Sequence, residues 1–295
     1  MVITLGNIVF GGKGNGGGST ASAYVVPDGM SFGYTSLTEF PTDGLDFSQK
    51  TNFYRCWNYC SSLTSFPMIN TANGTNFTFA WGYCSKLKEF PALDLSKGTN
   101  FESCWYGCSK LTSFPVVDFS NGETFESAWD GCSSLTTFPK IEFPKATNFM
   151  YAWQNCTGMT TFEGIVAPNA TSFYMAWAFC SRLVDFPETR FGACSLNSAL
   201  GGCTSLKSVH LTVNDATDLS GLFALDSNLE DAYVTGLGQN LDLSVSDKIT
   251  RASLLHIISN MQTVEGKTLT LGSTNLAKLL EPEIAIATNK GWTLA

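Results

Sequence analysis

Histidine is almost missing from this chain of 295 residues: there are two, His210 and His256, which leaves little for imidazole acid–base or metal chemistry. Charge is scarce as well. Charged residues make up 14% of the sequence, against roughly 25% in an ordinary globular domain, so Ser, Thr, Asn and Gly must supply the polar surface. The 17 Lys and Arg are outnumbered by 25 Asp and Glu, for a net charge of −8, and no basic cluster is present. A nucleic-acid groove needs phosphate-neutralising cations, so that class of partner is excluded. No apolar run approaches the ~18 residues of a membrane span, and Met1–Phe10 lacks the basic start of a secretory signal. What the chain does have is apolar and aromatic mass, 44% and 13%, too much for a disordered polymer.

The ten cysteines are not scattered as a disulfide framework would scatter them. Cys60, Cys84, Cys108, Cys132, Cys156 and Cys180 keep an interval of 24, and Cys203 follows at 23. A constant interval puts each thiol at one equivalent place in a repeated unit. The same beat carries Phe53, Phe77, Phe101, Phe125, Phe149 and Phe173, and also Trp57, Trp81, Trp105, Trp129, Trp153 and Trp177. Leu63, Leu87, Leu111, Leu135, Met159 and Leu183 form a further column, and Phe-Pro pairs recur from Phe40-Pro41 to Phe186-Pro187.

Within one unit, Phe53, Cys56, Trp57 and Cys60 fall at i, i+3, i+4 and i+7. That spacing predicts a short helix of two turns, with the preceding Thr-Asn as its cap. Leu63–Phe66 reads as a brief strand stopped by Pro67. Such a unit cannot bury both faces alone, so stacked units share one core, as in a solenoid. The expectation is an α/β solenoid of about 24-residue strand-plus-helix repeats. It predicts a reduced, buried thiol ladder, since free Cys packs as a small hydrophobe.

The block Ala128-Trp129-x-x-Cys132-Ser-Ser-Leu135-Thr-x-Phe138 resembles the BspA-like leucine-rich repeats of bacterial surface and phage proteins. The resemblance runs over about residues 32–234. Residues 1–30 read as an N-terminal attachment segment: a hairpin around Gly6-Asn7, then a Gly-rich linker. Gly12, Gly14 and Gly17 fit a dinucleotide-loop spacing, but no helix pattern follows, and no cofactor is expected. Residues 31–235 form the solenoid, and 236–295 degenerate repeats and a cap. In that cap the sequence predicts a helix over 250–261, a strand over 267–271, a helix over 275–290 interrupted at Pro282, and a last strand over 292–295. The opening and closing segments resemble those of phage tail-associated repeat proteins.

Candidate chemistry is thin. His210 and His256 have no regular partner, so no catalytic residue is assigned and the chain is expected not to be an enzyme. Asp46, Asn70, Asp94, Asp118 and Glu142 share one column, and solvated turn caps explain them better than a bound cation, so no metal is expected. The outward positions of the expected helix hold Arg55, Tyr59, Phe79, Tyr83, Tyr151 and Phe179, with Tyr54, Tyr106 and Tyr174 beside them. Large apolar groups at exposed positions mark an interaction surface, so these nine are the candidate binding residues. The resemblance then implies a non-enzymatic bacteriophage virion component of the tail fibre or appendage type, assembled in the host cytoplasm. Its partners would be other virion proteins, a host-surface glycan or protein, or further copies of the chain; nucleic acid and membrane insertion are not expected. The alternative is a bacterial cell-surface adhesin of the same repeat kind.

Overall fold

A computed structural model describes residues 3–5, 8–10 and 23–295. The repeat closes one coil of chain on the next, giving a β-solenoid. Parallel bridges link Asn52 to Asn76, Asn76 to Asn100, and so on through Thr124, Asn148, Ser172 and Ser195 to Asp218. The register is exact in the sense that matters for packing: each sequence column becomes a spatial stack. Trp57 lies 5.2 Å from Trp81 with rings 10° apart, and Trp129 lies 5.3 Å from Trp153 at 4°. The Phe53 column stacks alongside, Phe53 to Phe77 at 5.0 Å. In the middle coils the Phe of the Phe-Pro pair, Phe66, Phe90, Phe114 and Phe138, stands edge-on between two Trp rings, Phe90 at 4.8 Å from Trp81 and 5.2 Å from Trp105. Six indole Nε1 atoms, Trp57 to Trp177, are buried without a hydrogen-bond partner. That cost is offset by ring packing on both faces.

The expected short helix is not there. In Phe53–Cys60 the amides of Cys56, Asn58 and Cys60 bond three residues back, to Phe53, Arg55 and Trp57. The intervening amides of Phe53, Arg55, Trp57 and Tyr59 bond to Asn76, Thr78, Ala80 and Gly82 of the next coil. Half the donors thus serve the neighbour, which an α-helix, with every donor used internally, cannot offer. The segment is a pair of tight turns. The Asn side chains open them as Asx turns, Asn52 Oδ1 accepting from the Tyr54 amide at 3.0 Å and Asn100 Oδ1 from the Glu102 amide at 2.9 Å. The fold is therefore a β-solenoid, not a strand-plus-helix repeat.

The strand side is sparse at first, because the Phe-Pro pairs remove donors. It lengthens C-terminally into a five-stranded parallel sheet ordered Asp231–Thr235, Ser208–Thr212, Asp185–Arg190, Thr161–Phe162, Thr137–Phe138.

Helix α1 spans Arg251–Asn260, with Thr250 Oγ1 capping the Ser253 amide at 3.2 Å. Strands Leu241–Asp242, Lys267–Thr270 and Trp292–Leu294 make a three-stranded parallel sheet. The single interrupted helix expected over 275–290 is instead α2, Gly272–Leu276, and α3, Glu281–Asn289. Pro282 lies in the first turn of α3, where no amide donor is needed. Lys290 Nζ donates to the carbonyls of Ile258, Ser259 and Met261 and so ties the end of α1 to the cap. At the N-terminus Ile3–Leu5 pairs antiparallel with Ile8–Phe10. The Gly-rich run with Gly12, Gly14 and Gly17 lies outside the described residues. Among the described residues no helix is long and apolar enough to cross a membrane.

Candidate functional site

The turn edge carries the nine candidate contact residues, and its backbone is unusual. Two residues in each coil, four apart, adopt left-handed conformations: Arg55 (φ 51°) and Tyr59 (59°), Phe79 (53°) and Tyr83 (60°), Tyr151 (58°) and Asn155 (56°), Met175 (51°) and Phe179 (63°). In the coils between, the same places hold Ser103 and Gly107, then Ser127 and Gly131. The positions assigned to the outer face of a helix are thus the left-handed corners of two turns. A side chain there costs about 1–2 kcal/mol that glycine avoids.

The rings on this edge meet one another. Tyr34 stacks on Tyr59 at 5.0 Å, Tyr59 on Tyr83 at 4.3 Å, and Tyr106 closes the row edge-on to Tyr83 at 5.0 Å. The Arg55 guanidinium lies over the rings of Tyr54 and Phe79, 5.2 Å from each. A second group pairs Tyr151 with Tyr174 at 5.2 Å. Phe179 leans over Gly202, where an added Cβ would come within 2.6 Å of the ring. Tyr54, Arg55, Tyr59 and Phe179 are exposed, while Phe79, Tyr83, Tyr106, Tyr151 and Tyr174 are half-buried. Desolvation, then the hydrogen bond with Tyr83, raises the Tyr59 phenol above its ordinary range. Much ring face is spent on neighbours, so the row presents edges and hydroxyls outward.

Behind this edge every core column is buried: Phe53, Trp57, Cys60, Leu63 and their repeats to Phe173, Trp177, Cys180 and Leu183. All ten thiols are free and buried. Cys84 Sγ contacts the Trp57 carbonyl at 3.3 Å, Cys108 that of Trp81 at 3.2 Å, and the pattern continues to Cys203 and Trp177 at 3.3 Å. Burial pushes the Cys108 and Cys180 thiols up to about 12. Cys60, at the end of the ladder, goes down to about 7, first through its hydrogen bond with Cys84 and then through Thr35.

Register also exposes a replacement. Asp226 follows Cys203 by the same 23 residues that separate Cys203 from Cys180, and so occupies the next rung of the thiol ladder. It is fully buried, with no hydrogen-bond partner for either carboxyl oxygen. Desolvation raises it to about 8, against a weaker pull from the nearby amides of Cys203 and Gly202. The acidic column forms Asx turns, with Asp46 Oδ1 accepting from the Ser48 amide at 2.8 Å and Asp118 Oδ1 from the Ser120 amide at 2.8 Å. Glu142 is an exposed strand residue. Among the described residues no cluster of His, Cys, Asp and Glu could hold a metal ion.

His210 and His256, which the sequence leaves without partners, are brought to either side of one sheet residue, His210 from the neighbouring strand and His256 from helix α1. Each packs against Tyr233, at 4.8 and 5.0 Å between ring centres.

No family model matches the chain, and no curated protein does. Among solved structures, the functional domain of InlJ from Listeria monocytogenes, described as including a cysteine ladder, is similar at 14% identity and a TM-score of 0.30 over 82% of this chain. The chain spans about half (54%) of that structure's length.

Proposed function

We propose that this chain is a non-enzymatic scaffold of the BspA-like leucine-rich-repeat kind, a bacteriophage tail or appendage component whose turn edge engages a partner. The observation that carries the reading is where large side chains stand. Arg55, Tyr59, Phe79, Tyr83, Tyr151, Met175 and Phe179 occupy left-handed corners that the coils between fill with glycine at lower cost, Gly107 and Gly131, or with the small Ser103 and Ser127. Cross-rung stacking returns about 0.5–1.5 kcal/mol for a ring pair, which covers part of the strain. The remainder is consistent with a surface kept for contact, since aromatic and Arg side chains concentrate interface energy. The aromatic edge and the phage-type opening and closing segments together favour a virion role.

The test replaces Tyr59, Phe79 and Tyr83 together by Ser. Folding should survive, because none of the three is a core residue. A receptor-binding edge fails in adsorption of intact particles to host cells; an assembly edge yields particles that lack the protein. Normal adsorption and normal assembly together would refute the reading.

A further inference from the structure

The strand side carries a feature of a different kind. The strand Asp185–Arg190 has one residue more than its neighbour Ser208–Thr212: Phe186 pairs with Val209 and Thr189 with Leu211, so Pro187 and Glu188 together face His210. This is a β-bulge, a device that re-aims side chains and recurs beside binding sites. Beyond it His210 pairs with Tyr233 and Thr212 with Thr235 in perfect register. Helix α1 then supplies His256, whose Nε2 lies 3.0 Å from Thr235 Oγ1. The result is a continuous imidazole–phenol–imidazole floor, with His210 exposed and Tyr233 and His256 half-buried.

That floor lies in a cleft of about 230 Å³ lined by Glu188, His210, Thr212, Tyr233, Thr235 and His256. Glu188 also borders a groove of about 440 Å³, where Lys140 and Arg190 mix with Glu163 and Asp215. From Glu163 to His256 the surface crosses four rungs, about 19 Å at sheet spacing.

We propose that this bulged cleft and its adjoining groove bind a neutral, linear oligosaccharide. A polyol needs acceptors and donors at close intervals: carboxylates accept, ammonium and guanidinium groups donate, and hydroxyls and imidazoles do both. The rings meet one another tilted at 36° and edge-on at 80°, so the floor presents ring edges, imidazole nitrogens and the phenol hydroxyl to a sugar's hydroxyls. Three carboxylates against two cations disfavour a phosphate polymer. Convergent polar groups around an aromatic floor in the concavity are the arrangement expected of a small-ligand site. This surface is separate from the turn edge, so the inference stands or falls independently of the proposed function.

Both histidines of the chain lie in the cleft, so the imidazole proton NMR signals report on it directly. The full chain, at fixed pH, is titrated with maltotetraose, cellotetraose, xylotetraose and mannotetraose to about tenfold above a millimolar dissociation constant. At least one should move both imidazole signals saturably. Tyr233→Ser and, separately, the exposed Glu188→Gln should each weaken that binding about tenfold or more, and Lys86→Ala, exposed and outside both the cleft and the groove, should leave it unchanged. Should Tyr233→Ser lower the melting temperature, Glu188→Gln alone decides. The proposal is overturned if no tetrasaccharide moves both signals, if Glu188→Gln binds like the parent, or if tripolyphosphate shifts them where the sugars do not.

Discussion

Replacing Asp226 by asparagine removes the one carboxyl standing in the thiol ladder, and the consequence has a definite sign. In the folded protein this group titrates near 8, because burial disfavours its anion; in the unfolded chain it titrates at ~3.9. Between those values the folded state holds a proton that the unfolded state has released. Stability contributed here is complete below about pH 4 and is lost as pH rises towards 8, at up to about 1.4 kcal/mol per unit. At neutral pH the loss is on the order of 4 kcal/mol. Asp226→Asn should therefore gain a few kcal/mol at about pH 8 and little at about pH 4.5. Asp226→Cys should do the same, since by register its thiol would face the Leu200 carbonyl as Cys203 faces that of Trp177. Urea unfolding of the three proteins across this range gives the test, read as differences so that Asp130, itself raised to about 6 by burial, cancels. Parallel stability curves for Asp226→Asn and the parent would refute the argument.

Three further outcomes are expected. Gly131→Ala should destabilise by roughly 1 kcal/mol, because φ is +73° there and the added Cβ meets nothing closer than 3.6 Å; a helix at this place would instead be stabilised by a similar amount, so the sign of the melting shift separates the two backbones. Trp105→Ala should cost roughly 3–5 kcal/mol in chemical unfolding, as for a large aromatic lost from between two stacked neighbours, and the half-buried Tyr106→Ala much less. Alkylation followed by mass measurement should find ten modified thiols after unfolding and almost none under native conditions, because every thiol is buried.

The columns were legible because a solenoid converts sequence period directly into contact: Trp57 touches Trp81 for the reason that the interval is 24. Backbone conformation was harder to read. Apolar residues at i, i+3, i+4 and i+7 suit a helix, but they also suit two consecutive four-residue turns that bury Phe53, Cys56, Trp57 and Cys60. The discriminating signal lay in the outward column Tyr59, Tyr83, Gly107, Gly131, Asn155, Phe179, Gly202. Glycine and asparagine recur there at a place where a helix interior would exclude them and a left-handed corner favours them. The contact candidates therefore share a turn edge, several of them at its left-handed corners, rather than the outer face of a helix.

The strand-side cleft escaped for another cause. The repeat shortens from 24 to 23 at Cys203, and the interval that matters C-terminal to it is the shorter one. Stepping 23 residues from His210 reaches Tyr233, and another 23 reaches His256, so two histidines that look unrelated at the longer period form one row at the shorter. Glu188 joins them through the extra residue of its strand, which no fixed interval reveals. A period makes the core predictable because every coil must satisfy the same packing. Sites of individual chemistry arise where coils depart from it, and there the change of interval, the bulge and the left-handed corners must be read one residue at a time.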